Sequence, residues 1–252
     1  MVNVIQVALA YDQLARDYNL QLARNPVAGY MRTQLQAHLL RVFHAGDRVL
    51  DFTAGTGLDA HFLALHGIHV TALDASPLMI AELQQAIAGQ ALPIETRVLP
   101  AERLIELEAD NFDGAITTFA GLNTITDLSQ LASDLSVRLR PGGRLVIHAL
   151  NSFCFWQWLA ALVRGRSRQR RIGIDLGGQF IQYQLYKPNM LWRTYFAPYF
   201  NRRSMYGLSI IAAPSLVKRW PRVKRGLFAL DRIIGRILPS IGDFFVIELV
   251  RR

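Results

Sequence analysis

Cysteine is almost absent from this 252-residue chain, where Cys154 stands alone. No internal disulfide can form, which points to a reducing compartment. No apolar run approaches the roughly 18 residues that a membrane-spanning helix needs. The N-terminus, Met1-Val2-Asn3-Val4, lacks a basic region followed by an apolar core, so no secretory signal is expected. These absences predict a cytoplasmic protein. Internal repeats and low-complexity tracts are also missing, and no His/Cys/Asp spacing suits a metal ion. The length fits one elaborated domain with one large core better than two domains.

Acidic residues are scarce in one half only. Residues 1–150 carry 10 Lys+Arg against 15 Asp+Glu, and residues 151–252 carry 18 against 4. An asymmetry of this size implies an anionic partner or surface. The plain alternative is solubility of an arginine-rich chain.

Residues 49–60 are the most informative stretch. A short apolar run, Val49-Leu50, reaches Asp51, a turn with Gly55 and Gly57 follows, and Leu58, Phe62, Leu63 and Leu65 then recur with a helical period. A strand, a glycine turn and a helix bring backbone close to a nucleotide-like ligand. Seventeen residues past Gly57, a second apolar run (Ile68, Val70, Ala72, Leu73) ends in Asp74, placed to accept hydrogen bonds from a ribose diol. Residues 55–60 also fit the dinucleotide pattern G-x-G-x-x-G/A, so NAD has to be weighed. Asp51 argues against it, because a carboxylate there repels a pyrophosphate and suits an amino group.

Further along, Phe112-Asp113 enters an apolar strand, and Arg140-Pro141-Gly142-Gly143-Arg144 breaks a helix before Leu145-Val146-Ile147. With the 51–57 loop and Asp74, these motifs resemble the class I S-adenosylmethionine (SAM)-dependent methyltransferases of the small-molecule branch, over roughly residues 10 to 150. The resemblance implies SAM as cofactor and S-adenosylhomocysteine as product. The implied fold is α/β, a Rossmann-like doubly wound seven-stranded sheet with an antiparallel edge strand and a cap inserted in the C-terminal half. Residues 1–45 would be N-terminal lid helices, 46–150 the cofactor core, and 151–203 and 213–240 cap insertions around the acceptor. Periodicity places strands at 48–52, 68–73, 94–98, 112–118, 144–149, 204–212 and 243–251, with another near 179–186. Helices are expected at 6–23, 27–43, 58–67, 77–88, 127–139, 153–163, 188–197 and within 214–237.

On the family pattern, Asp51 would face the methionine amino group, Gly55 and Gly57 would admit the cofactor backbone-close, and Asp74 with Ala75 would hold the ribose. Two departures stand out. The first glycine of the usual acidic-x-Gly-x-Gly-x-Gly loop is Thr53, whose β-carbon requires a backbone without positive φ. After the third strand, Pro100 occupies the usual acid's place, so adenine recognition would pass to Ala101 and Glu102. The segment from Ala10-Tyr11-Asp12 to Tyr18 resembles the family's lid helix. Tyr11 and Tyr18, two turns apart, would look into one cleft, with Arg32 a candidate partner for the cofactor carboxylate.

Methyl transfer requires alignment of an acceptor and, for a protonated nucleophile, a base. At the ends of the fourth and fifth strands, Thr118 and Phe119 could cover the cofactor, Asn123 could orient an acceptor, and His148 is the candidate base beside Tyr18. A packed, structural role competes for His148. Aromatic residues after 150 (Phe153, Phe155, Trp156, Trp158, Tyr183, Tyr186) suit an enclosed small, apolar or aromatic acceptor, with O-methylation favoured. They suit a homodimer interface equally well. The tryptophans with Arg164, Arg166, Arg168, Arg170 and Arg171 also suit an anionic membrane surface and a lipid or isoprenoid acceptor. Nucleic acid ranks below both, since no RNA-binding module is appended, and a non-catalytic SAM-binding protein is the remaining alternative.

Overall fold

The computed structural model describes residues 4–155, 158, 171–176, 179–212, 217 and 219–252. Two helices open the chain, α1 (Val4–Ala23) and α2 (Pro26–Val42). Asn25 caps α2 by accepting from the Val27 and Ala28 amides, and Pro26 fills the first turn, where no N–H is needed. Strands and helices then alternate through β1 (Arg48–Asp51), α3 (Leu58–Leu65), β2 (His69–Asp74), α4 (Pro77–Ile87), β3 (Ile94–Val98), β4 (Phe112–Thr117), α5 (Leu128–Arg138) and β5 (Leu139–Leu150). Each of these strands except β3 is mainly buried, as a parallel sheet covered on both faces requires.

A seven-stranded sheet runs β3-β2-β1-β4-β5-β9-β8, where β8 is Phe200–Leu208 and β9 is Phe244–Arg251. The first five strands pair parallel; β9 runs antiparallel to both β5 and the edge strand β8. One core layer joins α5 to the sheet through Leu128, Leu131 and Leu135. The other joins α2 and α3 to the opposite face through Leu35, Leu39 and Leu63. β6 (Arg171–Leu176) and β7 (Gln179–Gln184) form a separate antiparallel hairpin, and a short helix α6 (Pro188–Leu191) runs into a π-helical turn at Trp192–Phe196.

Several boundaries differ from the sequence reading. β5 starts at Leu139, and the register passes from Phe112↔Leu139 to Gly114↔Arg144, so residues 140–143 loop out of the ladder as the expected Pro-Gly-Gly turn. β8 covers 200–208 instead of 204–212. The cause is Asp231 on α7 (Lys224–Ile237), which accepts the amides of Ser209, Ile210, Ile211 and Ala212 and so removes them from strand pairing. Residues 200–203, assigned to a cap, therefore belong to the main sheet. α7 itself packs on β8, not around the cleft described below: Phe228 stacks on Tyr30 of α2 at 4.2 Å, and a β-carbon on Gly235 would overlap the Gly207 carbonyl. Most of the aromatic segment 153–163 and the arginine run 164–170 lie outside the described residues.

Candidate functional site

Strand order reverses between β1 and β4, and a crevice opens there at the carboxyl ends of the parallel strands. The cleft measures about 640 Å³ including its open mouth. Thr53, Gly55, Asp74, Ala75, Ala101, Glu102, Thr118 and Phe119 line it, as do Tyr11 and Tyr18 from α1. These residues come from five separate segments, and the topology alone brings them together.

The glycine loop is held by the acid at the end of β2. Asp74 Oδ2 accepts the Gly55 amide at 2.8 Å and its Oδ1 accepts the Ser76 amide at 2.9 Å. Gly55 has φ +55, a conformation that favours glycine. Burial raises the Asp74 carboxyl above its ordinary range, against the pull of these amide bonds. The Ala75 amide is a third donor to this carboxyl, which leaves one lone pair to receive a ribose hydroxyl.

Asp51 lies behind the loop, almost wholly buried. Its Oδ1 takes the Thr53 amide at 3.4 Å and its Oδ2 has no hydrogen-bond partner. Burial, then the nearby Asp59 carboxylate, push its carboxyl well above the ordinary range. A buried acceptor with no donor costs free energy until a ligand supplies one, and an ammonium would do so.

The Thr53 departure is accommodated locally. Thr53 stays out of the positive-φ region, and its Oγ1 shares a hydrogen bond of 2.7 Å with Thr117 Oγ1 at the end of β4. The volume its side chain takes is returned at Gly121, where a β-carbon would overlap Thr53. Glu102 lines the cleft at the start of a short helical turn, its carboxyl raised by burial while the Thr126 amide donates to it.

α1 straps the cleft through three contacts. Tyr11 Oη meets Tyr183 Oη of β7 at 2.7 Å, Thr56 Oγ1 donates to Asn19 at 2.6 Å, and Asp12 Oδ1 accepts from Ser76 Oγ at 2.5 Å and from the Leu78 amide at 3.0 Å. The Tyr11 and Tyr18 rings sit edge to face, 6.3 Å apart. Burial pushes the Tyr18 phenol up to about 12, so it remains a hydrogen-bond donor at neutral pH.

Five expected residues do not reach the cleft wall. Arg32 is paired with Asp59 at 2.7 Å and stacked 4.1 Å over Phe119, so its charge is already matched within the protein. Gly57, at φ +75, begins α3 where a β-carbon would overlap Leu83 of α4; it serves helix packing. Asn123 is fully buried: its Nδ2 donates to the Leu150 and Gln184 carbonyls and its Oδ1 accepts the Leu150 amide, which leaves nothing to orient an acceptor. His148 is fully buried too, and its Nδ1 accepts the Phe119 amide at 3.2 Å, so the nitrogen able to take a proton is occupied. Asp51 is the fifth, lying beneath the loop. Sequence reasoning missed Thr117 and Gly121, gave Asp12 no role of its own, and placed Tyr183 only among the aromatic residues around an acceptor. Asp12 stood inside the Tyr11-Asp12 motif, whereas nothing in the sequence linked Tyr183 to Tyr11. Among the described residues no cluster of three His, Cys, Asp or Glu side chains could hold a metal.

The family model described as a methyltransferase domain matches residues 49–143. A ubiquinone biosynthesis O-methyltransferase of Xylella fastidiosa is 32% identical over 111 residues, 44% of this chain and 45% of that protein. A demethylmenaquinone methyltransferase of Clavibacter sepedonicus is 35% identical over 107 residues, 41% of each. The alignments thus span about half the length of the curated relatives. Among solved structures, a putative SAM-dependent methyltransferase from Listeria monocytogenes superposes with TM-score 0.61 at 15% identity, over 86% of this chain and 96% of that one. A geranyl diphosphate C-methyltransferase from Streptomyces coelicolor A3(2) gives 0.57 at 14%, over 87% and 77%. At such identities the superpositions speak for the fold alone. Residues 49–143 thus resemble a methyltransferase domain, and the sheet order and the superpositions show that the chain shares the fold of the SAM-dependent methyltransferases it is similar to.

Proposed function

We propose that this chain is a SAM-dependent methyltransferase that acts on the oxygen of a small, largely apolar biosynthetic acceptor. The observation that carries this is the pair of acids at the switch point. Beneath the loop Asp51 keeps an unpaired, buried carboxyl oxygen that an ammonium would satisfy through water, and Asp74 lines the cleft as the ribose face beside a loop that admits close approach. The bound cofactor would supply an electrophilic methyl group on a sulfonium.

The chain's own part is to bind, orient and exclude water. Gly55 and Asp74 line one end of the cleft, with Asp51 beneath the loop there and Ala101 and Glu102 further along the wall beside the place of the base. Val4, Val7 and Ile125 make an apolar stretch of wall, and the Tyr11 and Tyr18 phenols remain donors there. The relatives named for ubiquinone and menaquinone biosynthesis favour a quinone-type phenol as acceptor. A nicotinamide dinucleotide suits the site less well, because the buried Asp51 oxygen beneath the loop needs a donor, which an ammonium supplies and a pyrophosphate does not. Contact with an anionic membrane and self-association are further parts of this proposal. Among the described residues, no helix is long and apolar enough to cross a membrane.

Isothermal titration with SAM, S-adenosylhomocysteine and NAD tests the cofactor assignment. Binding of the two SAM-type ligands and not of NAD is the expected result; NAD binding alone would overturn it. A screen of hydroxylated quinol analogues with labelled SAM then tests the acceptor class.

A further inference from the structure

α7 presents three different faces. Its first packs on β8 and α2 through Phe228, Asp231 and Gly235. Its second carries Arg232 and Arg236 into a cleft shared with Arg41 of α2, about 900 Å³ including its open mouth. Among the described residues none of these three arginines is in an ion pair, whereas Glu248, the carboxylate lining the cleft, is already engaged by Arg144, Arg203 and Ser204. Tyr206 also lines the cleft, and its buried hydroxyl has no hydrogen-bond partner. Arg41 has only a neighbouring His38 ring nitrogen at 3.4 Å, so guanidinium groups outside any ion pair stand beside an orphaned hydroxyl, the donor set that a phosphate oxygen cluster satisfies.

The third face is apolar and uncovered. Leu230, Ile233 and Ile237 recur at helical spacing and are 49%, 56% and 70% exposed, and Trp220 just before the helix is 56% exposed. Residues 219–238 hold six cations (Arg219, Arg222, Lys224, Arg225, Arg232, Arg236) and one acid, Asp231, which is buried on the packed face. Water gains nothing from an aliphatic stripe of this kind. The combination of an outward apolar stripe, an adjoining cationic face and a neighbouring tryptophan is that of a helix lying in a membrane interface.

We propose that α7 seats this chain on an anionic phospholipid surface, with headgroup phosphates taken by Arg41, Arg232 and Arg236 and the acyl region by Leu230, Ile233 and Ile237. The positive charge of the C-terminal half then has a specific place of action. This surface lies on the α2 side of the sheet and does not depend on the methyltransferase assignment.

Sedimentation of the full chain with vesicles tests it, without cofactor or acceptor. Wild type is expected to bind phosphatidylcholine vesicles containing phosphatidylglycerol and not pure phosphatidylcholine. Arg232→Gln with Arg236→Gln should weaken that binding about 30-fold, since each surface cation contributes roughly a fivefold factor. Leu230→Gln with Ile233→Gln should also release the protein, and both pairs are surface changes whose folding is checked by thermal unfolding. Vesicle binding indifferent to both pairs would overturn α7 as the contact. Saturable binding of inorganic phosphate without vesicle binding would overturn the membrane in favour of a soluble phosphate ligand. A concentration-dependent dimer abolished by the Leu230/Ile233 pair, again without vesicle binding, would overturn it in favour of a second copy of the chain.

Discussion

The Phe119 amide donates to His148 Nδ1 across 3.2 Å, and that contact fixes what the histidine can do. The bond holds a residue at φ +47, followed by Ala120 at φ +71, in backbone that non-glycine residues rarely adopt. His148 thus braces the strained end of β4 that lines the cleft, and it is not available as a base.

A pH experiment follows directly. Burial, and then Arg32, hold His148 at about 3, so it stays neutral in the fold while the unfolded chain takes up a proton near about 6.5. Its stabilising contribution is present above about 6.5 and is lost as pH falls towards 3, by roughly 3–5 kcal/mol at the acid end. His148→Gln removes this part of the slope, and urea unfolding of both proteins across that window measures the difference. Turnover of His148→Gln should stay within a few-fold of wild type. A loss of about a hundredfold or more would restore the base assignment.

Asp51 and Asp74 should separate on substitution. Asp51 is buried with an orphaned oxygen and a raised carboxyl, so it destabilises the ligand-free fold increasingly as pH rises above about 4. Asp51→Asn is therefore expected to raise ligand-free stability at neutral pH by about 1–2 kcal/mol and to weaken SAM roughly tenfold. Asp74→Asn loses the carboxylate that grips Gly55 and Ser76, and should weaken SAM at least about 30-fold while lowering the melting temperature. Calorimetric titration and scanning on each variant read both quantities.

The Tyr11–Tyr183 bond ties the strap to the β6–β7 hairpin. Tyr11→Phe and Tyr183→Phe should each weaken SAM about fivefold, and the double variant should cost no more than either single one, because both remove the same bond. Faster amide exchange along α1 should accompany the change. Fully additive losses would mean that the hydroxyls act separately.

The cofactor half was legible because its signals are local. The glycine turn after β1, the acid at the end of β2 and the Ser76-Pro77 helix start each show in a few consecutive residues, and they appear where the sequence puts them, although the bond from the Gly55 amide to Asp74 spans 19 residues. Arg32, Asn123 and His148 failed for the opposite reason. Their partners are Asp59, the Gln184 carbonyl and the Phe119 amide, each tens of residues away, and free side chains cannot be told from engaged ones before the chain folds. Gly121 shows the same limit in reverse: its purpose is visible only when Thr53 lies against it. The end of β8 likewise waits on Asp231, 23 residues beyond Leu208.

Asp231 should be among the costliest single positions to change. Its carboxylate, fully buried, accepts four backbone amides and the Tyr30 hydroxyl. Asp231→Ala leaves those donors unpaired and is expected to cost about 3–5 kcal/mol, whereas Tyr30→Phe removes one donor and costs about 1 kcal/mol. Urea unfolding provides the comparison. A cost for Asp231→Ala as small as that for Tyr30→Phe would mean that the amides find water instead.

The two loop glycines offer the sharpest contrast. Gly55 (φ +55) has open space where a β-carbon would go, while Gly57 (φ +75) faces Leu83 of α4. Gly55→Ala should cost only the backbone strain, about 1 kcal/mol, and show its main effect as weakened SAM binding where the loop approaches its ligand. Gly57→Ala adds a steric overlap and should cost about 2–4 kcal/mol of stability. Leu83→Ala in the same chain should return the overlap part of that cost but not the strain, so the double variant is more stable than the two single losses predict. Strict additivity in unfolding measurements would show that Leu83 moves aside without cost, and the stability cost of Gly57→Ala would then be conformational alone.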